Sequence, residues 1–558
     1  MKNSKKILCA FLAATMLVLA GCGGTGDTGG ATSTTTAAGN NPSTSVATPA
    51  EKTTLKGTAT VTPETLDPAK GSGENDELIF VNVYETLVVP NAKDGSAEPS
   101  LATKWAAAAD GLTWVFDLRN DVVFSDGTPF TANDVKYSMD RMLTIGEGYA
   151  FIFKDIIASV NVLDNYKVEF KLSKAFGPLI NSLTCLRIVN KTLLEANTVK
   201  GGMYGDKGDY GTAYLLNNAA GSGPYVILEF KVHESLKMSK NEKYWKEIPA
   251  SAPDNVEIAE LQDSATTKML LTSGEVDMVH GHQENTTVKT LTANEGIEVG
   301  DIPEMGLDYF MINTKKAPTD DIHIRKAISY AANYSAMSDI YGGMPLADGP
   351  VPSTLWGAAS GLTTYAYNLD KSKEEIALSK YASNIANYPI ELAYIQGNGD
   401  TGKLAMLLAS DLEKAGFKVT LNEVPWVLFC NNEAAVETSP NITNAFCTAN
   451  YPEAGSILEF KYASWTVGNW NQNEWLKDEK FDSMLSDALS TVKDEERLAK
   501  YVDIQKYLVD EVVPSLYPFM SVVKPVWNNK KFTWRLSDGG TAHSSAAYNY
   551  YYADFVMK

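Results

Sequence analysis

Residues 110–142 read DGLTWVFDLRNDVVFSDGTPFTANDVKYSMDRM. GLTWVFDLR alternates apolar and polar positions, the period of a half-buried strand. Val122–Phe124 reads as a strand end, and Ser125-Asp126-Gly127 suits a tight turn. Pro129 fixes the chain entering the next element. Thr131 is placed as a helix N-cap, with Asp134 three residues on in capping-box register. Val135, Met139 and Met142 then give one buried face. Shape accounts for each of these residues, and none looks catalytic.

Working outward, NYKVEFKLS (165–173) alternates in the same way, so 95–220 reads as strand-rich. Further on, two segments run strand, helix, strand. NVEIAEL (255–261) precedes a helix capped by Asp263 or Ser264 and ended by Gly274, followed by EVDMVHG (275–281). YPIELAYI (388–395) precedes a Gly-rich loop and a helix whose Leu404, Leu408 and Leu412 share a face; FKVTLNEV follows. Such units favour parallel strands with a right-handed crossover. Two of them far apart imply two α/β lobes, as does a length of 558 residues. A C-terminal helix with Leu498, Tyr501, Val502 and Leu508 on one stripe is stopped by Pro514.

The chain opens with Lys2, Lys5 and Lys6, then an apolar run from Ile7 to Ala20, the pattern of a signal peptide over 1–21. LAGC (19–22) resembles the bacterial lipobox, which implies cleavage after Gly21 and a lipid on Cys22. Residues 22–52 are rich in Gly, Ser, Thr and Ala and read as a flexible tether, because they cannot bury enough apolar surface to order themselves. The expected location is outside the cytoplasm, in the periplasm or on the outer face of the membrane. A net charge of −20 argues against nucleic-acid partners. Cys430 and Cys447 either pair, for roughly 3 kcal/mol in the chain-entropy model, or stay as free thiols like Cys185. No P-loop, GxSxG, HExxH or CxxC occurs.

VYETLVV (83–89), EPSLATKW (98–105), the opening stretch, GSGPYVI (221–227), NEKYWKE (241–247) and SGEVDMV (273–279) follow in order. IHIRKAISYAANY (322–334) and EERLAKYVDIQKYLVDEVVPSLYPF (495–519) extend the series. Together they resemble the family 5 extracellular solute-binding proteins of ABC importers, the oligopeptide, dipeptide and nickel class. The resemblance implies an α/β periplasmic-binding-protein-like two-lobe fold. The first lobe would comprise 53–95, 223–305 and 525–558, with a β-rich subdomain, 96–222, inserted in it. The second lobe would be 306–524. Hinge closure would trap a ligand between the lobes.

Ligands of open α/β sheets bind beyond the carboxyl ends of strands. That rule points to His280 and His282 after one strand, and to Gln396 and Asn398 after another, at a helix N-terminus. The two histidines are also weak metal candidates, half a site with no third ligand fixed by spacing. The resemblance adds Ser72, Gly73 and Glu74. It also adds CTANYPEAGSIL (447–458), similar to a segment in which peptide binders carry an Asp for the peptide amino group. Asn450 stands there instead and lacks the charge; Glu74, Glu453 or another carboxylate is the expected substitute. Trp426, Phe446, Tyr451, Trp465 and Trp470 are aromatic walls in this reading.

The expected function is capture of a solute, foremost a peptide, with no catalysis and no cofactor. The protein would be a monomer serving a permease with separate ATPase subunits. An oligosaccharide or a metal chelate is the alternative cargo; a secreted hydrolase and a sensor or adhesin are the alternative roles.

Overall fold

The computed structural model describes residues 52–281, 285–397 and 399–558. The signal segment, Cys22, nearly all of the tether, His282 and Asn398 lie outside the described residues.

The opening stretch folds as its residues dictate. Thr113–Leu118 is a strand, paired antiparallel with Lys167–Leu172. Val122–Phe124 is shorter than expected: Val123 makes only an isolated bridge with Pro129, closing a loop in which Gly127 takes φ 95°. Thr131 caps the helix Ala132–Ile145, and its backbone N–H donates to the Asp134 carboxylate at 2.8 Å, a box that contributes about 1 kcal/mol. Val135, Met139 and Met142 are buried. Ala102–Ala107 and Ile157–Asp164 complete a four-stranded antiparallel sheet.

This sheet is inserted between strands of a seven-stranded sheet. In spatial order the latter runs Ile297–Val299, Val526–Asn528, Met278–Val279, Thr54–Ala59, Asn255–Glu260, Ser235–Lys240 and Tyr225–Lys231. The strands flanking the Ser264–Ser273 helix are parallel, but they do not touch: Thr54–Ala59 lies between them and pairs with both. A second, six-stranded sheet contains Val419–Val424, Ile390–Ile395, Ile442–Thr448 and Ile302–Ile312 in that order, with Ser515–Leu516 and Met520–Val523 both paired to the last. Here the unit read from sequence pairs directly, Ile390 against Val419, across the helix Gly399–Ala415. The C-terminal α-helix ends at Tyr507 and continues as a π-turn to Val512.

The described backbone passes between the two large sheets twice, after Val299 and after Val523. The crossings lie side by side. Ile302 pairs with Val523, the Gly300 N–H donates to the Pro525 carbonyl, and Lys524 meets Asp301 at 2.7 Å.

Several of the quoted motifs converge on one buried carboxyl, Glu85 of VYETLVV. It accepts hydrogen bonds from Trp245 Nε1, Tyr244 OH and Ser222 Oγ at 2.7–3.1 Å. Burial pushes its pKa up to about 7 against these donors. The SDGTP turn joins the same region, since the Ser125 N–H donates to the Gly221 carbonyl. Arg141 of the capped helix forks onto Asp67 with two 2.6 Å bonds, fastening the inserted part to the first lobe. Apolar side chains of the insert and of the second lobe also form one continuous buried cluster, from Phe116 and Phe170 to Leu307 and Tyr462. No described helix is long and apolar enough to cross a membrane.

Cys185, Cys430 and Cys447 are free thiols, so the disulfide is not formed. Cys447 is sealed in the second sheet near Lys461, its thiol pushed up to about 12 by burial. Cys430 sits half-buried on the separate helix Trp426–Asn432.

Candidate functional site

Between the lobes lies a cavity of about 150 Å³. One side comes from the helix Glu74–Val83, which offers Glu74 and, one turn on, Glu77. Ser72 precedes that helix; its carbonyl accepts from Tyr149 OH at 3.3 Å. The opposite side comes from the second sheet, with Phe446 and Thr448 at the end of Ile442–Thr448 and Asn450 just beyond. Glu304, close to the crossings, closes one edge and accepts a hydrogen bond from Ser521.

Arg187 lies in this wall and is almost fully buried. Its Nη2 donates to the Glu77 carboxylate and its Nη1 to Tyr548 OH at 3.4 Å. Its Nε and the second oxygen of Glu77 have no partner among the described residues. Burial alone would lower the pKa of Arg187; Glu77 outweighs it and holds the guanidinium firmly charged. Among the described residues of the lining, three carboxyls face one guanidinium.

Asn450 also lines a second compartment of about 680 Å³, between the insert and the second lobe. Tyr451, Phe460 and Trp465 form its second-lobe side; Phe151, Ile152 and Phe176 come from the insert. The Asn450 carbonyl accepts from the Cys185 thiol at 3.2 Å, and its N–H donates to Ser456 Oγ at 2.8 Å. The loop is thus held by its backbone.

Of the residues read from sequence, Ser72, Glu74, Phe446 and Asn450 meet at the smaller cavity, while Tyr451 and Trp465 meet Asn450 at the larger. Gly73 caps the Glu74 helix but is not in the lining. Gln396 sits exposed in a turn away from both cavities. Trp426 and Trp470 pack edge to face at 5.2 Å, with Phe429 stacked on Trp426 and Phe460 against Trp470. The four rings form an aromatic cluster of the second lobe, and Trp426 and Trp470 line neither cavity.

His280 needs correction as a ligand or metal residue. It is buried in the first lobe, Nε2 at 3.0 Å from Tyr552 OH and Nδ1 at 3.2 Å from the Thr58 carbonyl. Gly57 leaves the room: a Cβ there would lie 2.5 Å from His280 Cε1. No cluster of three metal-ligating side chains occurs among the described residues. Glu453 also does not face a ligand. It is fully buried and bonded to Arg497, Tyr501 and Asn181.

Sequence reasoning missed Glu77, Tyr149, Arg187, Glu304 and Tyr548. Arg187 carried a signal, a lone cation inside the apolar run CLRIV. Such a residue is buried only when something pairs with it.

Residues 96–469 match the profile described as "Bacterial extracellular solute-binding proteins, family 5 Middle". The chain belongs to this family. Family 5 relatives include the "Probable D,D-dipeptide-binding periplasmic protein DdpA" of Escherichia coli (strain K12), 26% identical over 80% of this chain and 85% of that one. The "Nickel-binding periplasmic protein" of the same strain is 25% identical over 80% and 86%. The solved DppA of Helicobacter pylori, in complex with peptide STSA, superposes with a TM-score of 0.69 at 20% identity, covering 91% of this chain and 98% of that one. The two-lobe fold is therefore that of the family 5 binding proteins, and this chain is a solute-binding protein.

Proposed function

We propose that this chain captures short peptides outside the cytoplasm and delivers them to an ABC permease driven by separate ATPase subunits. It acts without catalysis, as a monomer tethered by a lipid on Cys22. Its lobes keep the boundaries stated above. The observation that carries the ligand class is the charge of the inter-lobe cavity. Among the described residues of its lining, Glu74, Glu77 and Glu304 are the acidic groups and Arg187 the basic one. An ammonium group suits such a lining, because charge-assisted hydrogen bonds to carboxylates are roughly twice as strong as neutral ones. The first lobe would then supply the charge that Asn450 lacks. The peptide named in two of the relatives above supports the same class.

A thermal-shift comparison of Ala-Ala-Ala with N-acetyl-Ala-Ala-Ala tests this, since a ligand that binds only the native state raises its melting temperature. The free peptide is expected to stabilise the protein and the blocked one to have little effect. Equal shifts would overturn the ammonium assignment. Stabilisation by a glycan or a nickel chelate, with none by either peptide, would overturn the peptide reading.

A further inference from the structure

The smaller cavity, about 150 Å³, is below the ~300–1,000 Å³ usual for small-molecule pockets. It has room for the charged end of a peptide and little more. The compartment beside it, about 680 Å³, lies within that range. Asn450 lines both, and its side-chain amide makes no hydrogen bond to any described residue. The junction therefore offers a polar group that a passing backbone could use.

The larger compartment is walled by aromatic rings from two parts of the molecule. Phe151, on the insert, is 55% exposed, and Trp465, on the second lobe, is 53% exposed. Large apolar groups left half in water on facing walls gain when an apolar guest covers them.

We propose that the larger compartment is a side-chain pocket continuous with the inter-lobe cavity, and that the preferred ligand is a short peptide with one bulky aromatic side chain. This rests on the peptide reading of the smaller cavity. The amino terminus is held at Glu74 and Glu77, the backbone passes Asn450, and the aromatic side chain fills the space between Phe151 and Trp465.

Calorimetric titration with Ala-Ala-Ala, Trp-Ala-Ala, Ala-Trp-Ala and Ala-Ala-Trp tests it. The best tryptophan peptide is expected to bind at least about tenfold more tightly than Ala-Ala-Ala. In Trp465→Ala that ratio should fall towards one. In Trp426→Ala, whose ring lies outside both cavities, it should persist. Equal binding of all four peptides, or a ratio untouched by Trp465→Ala, would overturn the side-chain pocket and leave the amino-terminal site standing. Binding by none of the four would remove the peptide reading and this inference together.

Discussion

Glu453 and Arg497 meet at 2.7 Å with both side chains closed off from solvent. Tyr501 donates to the same carboxylate oxygen at 2.7 Å, and Asn181 reaches the other from the insert at 2.8 Å. The bonds partly offset the desolvation cost that raises the Glu453 pKa. Arg497→Met leaves Glu453 buried without its cation and is expected to cost about 3–5 kcal/mol, read from the urea midpoint. An unchanged midpoint would show that the pair is worth nothing here.

Asn181 is the member of this group that belongs to the insert. Asn181→Ala removes a hydrogen bond between the insert and the second lobe, and should favour a more open form. Small-angle scattering of the ligand-free variant is expected to give a larger radius of gyration than wild type. Identical curves would show that the contact does not bias the opening.

Asn450→Asp adds a carboxylate where the two cavities meet. Peptides with a free amino terminus should bind more tightly, on the order of 1 kcal/mol, and N-acetylated ones no better than before. If the substitution changes binding of no peptide, the 447–458 loop does not touch the ligand.

His280 is held neutral by burial, which depresses its pKa to about 4 and outweighs the hydrogen bond to Thr58. The unfolded chain binds the proton near the usual ~6.5. Stability from this group is therefore complete above ~6.5 and is lost as pH falls from there towards 4, by at most about 3 kcal/mol. His280→Gln should flatten the fall in melting temperature between pH 7 and pH 4 while leaving peptide affinity intact. A loss of affinity would return His280 to the ligand site.

Cys22→Ser should abolish incorporation of labelled fatty acid and release the protein from the membrane fraction. Continued labelling would place the lipid elsewhere.

What could be read from sequence was local. Thr131 and Asp134 are three residues apart, and the unit from Ile390 to Val424 pairs across its own helix, so each could be read in a short window. The strand Thr54–Ala59 separates two strands more than two hundred residues later, a pairing that no window contains. The cavity is non-local in the same way: Glu77, Arg187, Glu304 and Tyr548 come from four distant segments. The strand-end rule says where His280 lies along the chain, and not that Tyr552 covers its side chain.

The node at Glu85 has one more consequence. VYETLVV, GSGPYVI and NEKYWKE, three of the stretches by which the chain is recognised, spend their polar groups on one another. They are blind to cargo. Two proteins could share all three and carry unrelated freight, so kinship at these positions names the vehicle and leaves the manifest to be written by a few scattered side chains such as Arg187 and Asn450.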